Sequence, residues 1–278
     1  TSGWSVRAQV FQVNAANNAP EITSDGGGDS AALSIAENTL AVTTVQASDP
    51  DAGTTLTYSI AGGADAGLFT VDANTGALSF KAAPDFEAPA DADLDNIYEV
   101  IVSASDGALS DSQTIHVTVT DANDNAPVIT NPATLSADES QTVVATLTAN
   151  DADTTGEATA FSISGGADAA LFDIVGGNLV FKAAPDYETD PHSYEVEVTA
   201  SDGVNSSSQT FTVNVGDVND TAPVITTAAT LSVDENQTVV ATLTADDADT
   251  TGEATTFSIT GGADAALFDI VGGNLVFK

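Results

Sequence analysis

The chain has 278 residues, four basic side chains against 41 acidic ones, and a formal net charge of −37. Four cations cannot neutralise a phosphate backbone, and an anionic membrane surface would repel the chain, so nucleic acid and membrane are not expected as partners. There is no cysteine to build a disulfide framework and no apolar run of about eighteen residues to cross a bilayer.

In chain order, Thr1 to Val13 has an imperfect alternation, with Val6, Ala8, Val10 and Gln12 on one face. It reads as the last strand of a domain lying upstream. It carries neither the charged nor the apolar region of a signal peptide. Asn14-Ala15-Ala16-Asn17-Asn18 follows, then Ala19-Pro20. The same kind of stretch returns as Asp121-Ala122-Asn123-Asp124-Asn125 before Ala126-Pro127, and as Asp217-Val218-Asn219-Asp220-Thr221 before Ala222-Pro223. Such stretches have almost no apolar surface to bury. Their oxygens, spaced at regular intervals, suit a hard cation that takes six to eight oxygen ligands, which is Ca²⁺.

These stretches mark joints between repeats. Thr134 to Lys182 and Thr230 to Lys278 align without gaps at an offset of 96 residues and differ at five positions. The expected organisation is residues 1–16 as an upstream strand plus joint, repeats at 17–124 and 125–220, and an incomplete repeat at 221–278. In the middle repeat Val143, Ala145, Leu147 and Ala149 are expected to share one face. Phe161 and Ile163 continue the pattern, and Leu179 and Phe181 follow the Gly176-Gly177-Asn178 turn. Tyr194, Val196, Val198 and Ala200 alternate with polar residues, and Phe211, Val213 and Val215 close the repeat. A period of two throughout means strands, and several short strands in about a hundred residues fit a two-sheet sandwich. Gly165 to Phe172 is expected to make one short helical turn. The third repeat stops before the last two strands of its twin. We therefore read the chain as a window on a longer tandem array.

The sequence resembles cadherin repeats in the form found in large bacterial surface proteins, over Asn17 to Lys278. Five motifs carry the resemblance. An acidic residue lies near the first strand (Glu37, Glu139, Glu235). An Asp-x-Asp pair follows (Asp49-Pro50-Asp51, Asp151-Ala152-Asp153, Asp247-Ala248-Asp249). Pro84-Asp85-Phe86-Glu87 and Pro185-Asp186-Tyr187-Glu188 stand where the family has its Leu-Asp-Arg-Glu motif. Asp106-Gly107 and Asp202-Gly203 come later, and the linker comes last. The resemblance implies an all-β fold of tandem Greek-key β-sandwich domains, Ig-like, in a linear array. It implies Ca²⁺ at each joint. The first complete joint would use Glu37, Asp85, Glu87, Asp121, Asn123, Asp124, Asn125, Asp151, Asp153 and Asp202. The second would use Glu139, Asp186, Glu188, Asp217, Asn219, Asp220, Asp247 and Asp249, with Thr221 replacing the final linker asparagine. The N-terminal joint keeps Asp49, Asp51 and Asp106 but has Asn14 and Asn17 for two aspartates, so it is expected to hold fewer ions. Apart from the resemblance, residues two apart on an extended segment leave by one face, which converges each Asp-x-Asp and Asp-x-Glu pair.

Other signals are set aside. Asp91-Ala92-Asp93-Leu94-Asp95-Asn96 resembles the start of an EF-hand loop, but glycine is missing at its sixth position and the twelfth is Val102. It is read as a solvated insertion. His116 and His192 have no cysteine or second histidine nearby in sequence, so neither zinc nor a catalytic triad is expected. The carboxylate pairs recur at the ends of repeats, which is structural spacing rather than that of a glycosidase. No enzyme is expected. The expected function is a calcium-dependent stalk or extender of a secreted, cell-surface adhesin or filament. Its partners would be calcium, neighbouring repeats, other copies of the chain or a cell-surface ligand. The alternative is a homophilic or carbohydrate-binding adhesion module.

Overall fold

The computed structural model describes residues 16–156, 158–252 and 254–278. The strand expected over Thr1 to Val13, and Asn14, lie outside the described residues. The chain divides into two units, Thr1–Asp124 with Ala152–Gly156, and Asn125–Asp151 with Glu157–Lys278.

In the first unit the strands are β1 (Glu21–Ile22), β2 (Ser30–Ala36), β3 (Ala41–Thr44), β4 (Ala47–Ser48), β5 (Thr57–Gly62), β6 (Phe69–Val71), β7 (Ala77–Phe80), β8 (Ile97–Ser105) and β9 (Ser110–Thr120). They form a four-stranded sheet in the order β2-β9-β8-β5, a three-stranded sheet β3-β7-β6, and the pair β1-β4. The alternation of β8 explains the arrangement. Tyr98, Val100, Val102 and Ala104 are all but inaccessible, while Ile97, Glu99 and Ile101 between them are not. Ile115, Val117 and Val119 of β9 join the same face and meet Phe69, Leu78 and Phe80 of the other sheet in one core. Phe80 bridges the sheets, 4.4 Å from Phe69 and edge-on to Tyr98 at 5.1 Å between ring centres. Two faces packed this way make a β-sandwich. The fold is all-β, as expected. β2 runs parallel to β9, with Ser30 opposite Thr114 and Ala36 opposite Thr120.

The second unit begins with the middle repeat: β10 (Val128–Ile129), β11 (Thr134–Asp138), β12 (Val143–Thr146), β13 (Ala149–Asn150), β14 (Ala160–Gly165), β15 (Phe172–Val175), β16 (Asn178–Phe181), β17 (Ser193–Ser201) and β18 (Ser206–Gly216). The sheets repeat those of the first unit, β11-β18-β17-β14 and β12-β16-β15. Leu179, Phe181, Val196, Val198, Phe211, Val213 and Val215 are core, as their alternation predicts. Ala169–Leu171 is the single 3-10 turn expected within Gly165 to Phe172. One expectation fails. Val143 is 56% exposed, because the register shifts between Val143 and Ala145. At this bulge Val144 packs on the core in place of Val143, while Ala145, Leu147 and Ala149 pack there as expected.

The third repeat holds β19 (Val224–Ile225), β20 (Val239–Thr242), β21 (Ala245–Asp246), β22 (Phe268–Val271) and β23 (Asn274–Phe277). Residues 230–234 and 256–261 are not strand here, although their twins in β11 and β14 are. Those twins pair with β18 and β17.

The insertion at residues 91–96 is exposed from Ala92 to Asp95, as expected, but not at its first residue. Asp91 is 3% exposed rather than solvated. The buried Asp65, 5% exposed, ties the insertion to β8: it accepts the Ala92 N–H at 2.8 Å with one oxygen and the Glu99 N–H at 2.8 Å with the other. A contact between residues so far apart in sequence leaves no local signal.

Candidate metal centre

Each complete repeat ends β9 or β18 in an oxygen-rich linker, and a buried glutamate ties that linker down. In the first unit Glu37 is 3% exposed. One of its oxygens accepts the Ala122 N–H at 2.8 Å and the other the Phe86 N–H at 2.7 Å. The linker and the Asp85-Phe86-Glu87 turn are thus clipped to one side chain. Asp85 Oδ1 shapes that turn by accepting the N–H groups of Glu87 and Ala88. Carboxylate oxygens of Glu37, Glu87 and Asp121 then fall within 4.8 Å of one another, as do those of Glu87, Asp124 and Asp153. Asp121 accepts hydrogen bonds from the N–H and hydroxyl of Thr154, and Asp124 accepts one from Asn38 Nδ2 at 2.5 Å.

The second unit repeats this with different residues. Glu139, 1% exposed, accepts the N–H groups of Val218 at 2.7 Å and Tyr187 at 2.6 Å. Glu139, Asp186 and Glu188 converge within 4.8 Å. Asp217 is held by the N–H and hydroxyl of Thr250, Asp249 by the Thr221 N–H at 3.0 Å, and Asp220 by the Ser140 hydroxyl at 3.3 Å. Asp151 and Asp202 also belong to this unit, with carboxylate oxygens within 4.8 Å of each other. Asp202 Oδ1 accepts the N–H groups of Val204 and Asn205. Asp247 is exposed.

Some oxygens in these clusters are buried without a hydrogen-bond donor: Glu87 Oε1, Asp121 Oδ1, Glu188 Oε1 and Asp217 Oδ1. A buried acceptor with no donor costs about 1–3 kcal/mol, and more when charged. Hard anionic oxygens that no protein donor satisfies fit a hard divalent cation. Without a cation, two of these carboxyls resist ionising. Burial raises the Glu87 carboxyl from 4.5 to about 7, with the charges of Glu37, Asp121 and Asp153 adding to it. Burial, then Glu139, Asp186 and Asp249, do the same for Glu188, again to about 7.

The matching profile and relatives follow this geometry. Residues 32–120 match the family model described as cadherin domain. The chain carries cadherin repeats. It is 35% identical over 262 residues to the mouse cadherin EGF LAG seven-pass G-type receptor 2, covering 88% of this chain and 9% of that receptor. Further relatives are human, rat and fruit-fly proteins. Among solved structures, mouse cadherin-23 EC22-24 superposes with a TM-score of 0.62 at 22% identity, over 94% of this chain and 88% of that one. The protocadherin gammaB7 EC3-6 cis-dimer structure gives 0.56 at 29%, over 94% and 65%. These matches point to animal cadherins, and they correct the expectation of a bacterial adhesin. The biofilm and filament readings have no support among them. Cadherin-family adhesion domains are not enzymes.

Within the cadherin repeats, the N-terminal joint is described only in part. Asn17 Nδ2 donates to Asp106 at 2.7 Å, and Asn18 donates to Asp51 through its N–H at 2.7 Å and its Nδ2 at 3.2 Å. Asp106 also accepts the N–H groups of Leu109 and Ala108, which, ahead of Asn17, hold its carboxyl below the usual range. Asp49 Oδ1 accepts the Asp51 N–H at 2.7 Å, while Asp49 Oδ2 is buried without a donor.

Motif reading missed the residues around the aspartates. Thr154 and Thr250 were not singled out, nor were Gly156 and Gly252. Both glycines sit at φ +108°, and a Cβ on either would overlap the carboxamide of Asn123 or Asn219. The repeated Asp-Ala-Asp-Thr-Thr-Gly carries that signal. Gly156→Ala and Gly252→Ala are expected to cost about 1–3 kcal/mol by strain and displacement of the linker asparagine, read by urea unfolding. Gly53→Ala, with φ +82° and nothing within 4 Å, isolates the backbone part. Equal losses at all three positions would show that the asparagine contact contributes nothing.

A carboxyl raised on folding binds its proton more tightly in the folded chain. The stability this adds is complete below about 4.5 and is lost as pH rises through about 7. The metal-free chain should therefore melt higher at pH 5.5 than at pH 8. Glu87→Gln with Glu188→Gln should flatten that difference, which the general charge repulsion of the chain would not do. An unchanged difference in the double variant would remove these two groups as its cause.

Proposed function

We propose that these repeats form an extracellular, calcium-dependent structural segment of an adhesion protein, with Ca²⁺ stiffening the joints. The observation that carries the reading is the set of donor-less buried carboxylate oxygens at the end of each complete repeat. In the first unit Glu37, Asp85, Glu87, Asp121, Asn123, Asp124 and Asp153 would hold the ions. In the second they would be Glu139, Asp186, Glu188, Asp217, Asn219, Asp220, Asp247 and Asp249, with Asn125, Asp151 and Asp202 of that unit as further candidate ligands. Asp49, Asp51 and Asp106 would serve the N-terminal one. Bound Ca²⁺ would supply positive charge where only carboxylates converge. The protein's own part is to aim the oxygens, through Glu37 and Glu139.

The chain spans only a small part of the curated relatives it matches, so the binding end of the whole protein is left open. A second reading, contact between copies of the chain, is favoured by the cis-dimer relative. Small-angle scattering tests both. Added Ca²⁺ should lengthen the maximum dimension at constant molecular mass. A doubled mass in Ca²⁺ favours the second reading, and a profile identical in Ca²⁺ and chelator rejects the first.

A further inference from the structure

The insertion between the Asp85-Phe86-Glu87 turn and β8 is peculiar to the first repeat. From Pro84 to Tyr98 the chain is five residues longer than from Pro185 to Tyr194 in the middle repeat. The middle repeat closes the same gap without an acidic loop: His192 stacks on Tyr187 at 3.6 Å and contacts its carbonyl at 2.7 Å. In the first repeat the extra residues bring carboxylate oxygens of Asp91, Asp93 and Asp95 within 4.8 Å of one another. Oxygens on opposite sides of one Ca²⁺, at about 2.4 Å each, stand about 4.8 Å apart.

Convergence of exposed acids alone would mean little. Here Asp91 is 3% exposed, and its Oδ1 is buried with no hydrogen-bond donor. Its Oδ2 is already taken by the Asp95 N–H at 2.8 Å. A buried carboxylate, half satisfied and grouped with two further carboxylates, is an arrangement that folding without a cation disfavours. The loop is also built in advance. Asp65 holds the Ala92 N–H, Tyr98 Oη accepts the Ala90 N–H at 3.1 Å, Asp95 accepts the Ile97 N–H at 2.8 Å, and Asn96 Nδ2 donates to the Phe86 carbonyl at 2.9 Å. The glycine absent from the sixth position is replaced in conformation, since Asn96 takes φ +63°. Asparagine tolerates that region better than most residues. The twelfth position has no such substitute: Val102 is core.

We propose that Asp91, Asp93 and Asp95 form a Ca²⁺ site inside the first repeat, separate from the joints. Lacking the bidentate glutamate at the twelfth position, it completes its shell with water and falls in the weak range of about 10⁻⁴–10⁻³ M. The ion fastens the insertion to the sandwich through Asp65, so the repeat carries a calcium dependence of its own.

The test is a Ca²⁺ titration of the full chain, followed by amide NMR and by equilibrium dialysis. The amides of Ala92 to Asn96 should shift with a midpoint in that range. Asp93→Asn with Asp95→Asn changes only exposed side chains, so the fold should persist. It should abolish the loop shifts and lower the bound calcium by one ion per chain. The Tyr187 and Val218 amides report on the second joint separately, so the loop site and the joint reading can fail independently. Loop amides that stay silent up to 10 mM Ca²⁺, or an unchanged ion count in the double variant, overturn the proposal. So does a loop that responds to pH but not to Ca²⁺, which marks a carboxyl pair sharing a proton.

Discussion

Removing calcium should lower the melting temperature of the chain by about 10 °C or more. The estimate rests on linkage. Weak extracellular sites bind at about 10⁻⁴–10⁻³ M, so each ion at 10 mM adds about 1.4–2.7 kcal/mol to the folded state. In a repeat of this size each kcal/mol moves the midpoint by about 4–8 °C. The carboxylates left behind push the same way, because like charges about 4 Å apart repel by about 1 kcal/mol per pair in water and more where solvent is excluded. The comparison must hold ionic strength constant with sodium chloride, since monovalent salt screens exposed charges. Calorimetric melts in matched Ca²⁺ and chelator decide it. Coincident melts would mean that the donor-less oxygens of Glu87, Asp121, Glu188 and Asp217 hold no ion.

Glu139→Ala should destabilise the middle repeat by about 1–4 kcal/mol, although it removes a negative charge from a carboxylate cluster. Two effects oppose each other. Truncation relieves repulsion from Asp186 and Glu188, worth about 1 kcal/mol per pair. It also strands the buried N–H groups of Tyr187 and Val218, which now share the carboxylate at 2.6 and 2.7 Å. Hydrogen bonds to a charged group are worth about 1.5–3 kcal/mol each, so their loss outweighs the relief. Against a typical domain stability of about 5–15 kcal/mol, a loss of that size is readily measured. Urea unfolding in chelator measures this without the metal. Glu139→Gln keeps the shape and one acceptor and should fall between wild type and alanine. A wild-type midpoint for Glu139→Ala would show that the glutamate is a ligand only, and not the clip that joins linker to turn.

Much of this molecule was legible in its sequence. Tyr194, Val196, Val198 and Ala200 showed their strand because one face of the sheet is buried and the other is not. The linkers showed themselves because Asp121 to Asn125 cannot be core. What stayed hidden depends on contacts distant in sequence or on a single-residue slip. The bulge after Val143 leaves the period of two intact in the text while turning Val143 alone out of the core. The anchoring of the insertion comes from Asp65, which holds the Ala92 N–H, and the need for glycine at 156 comes from the carboxamide of Asn123. The parallel pairing of β2 with β9 could not be read from either strand alone, because each pattern fits either direction.

That parallel pair decides how a repeat answers a pull. β2 is an early strand of its repeat and β9 is the last, and they lie side by side in register from Ser30/Thr114 to Ala36/Thr120. Tension entering ahead of β2 and leaving after β9 tries to slide one strand along the other. The rungs between them are then loaded together rather than opened one at a time, as the two ends of a hairpin would be. The middle repeat places β11 and β18 in the same relation, from Thr134/Thr212 to Asp138/Gly216. The force path leaves each of these final strands directly into the carboxylate-rich linker that Glu37 or Glu139 fastens down. Slippage of the strand and loosening of the linker are thus one event, and each repeat resists extension with its longest strand.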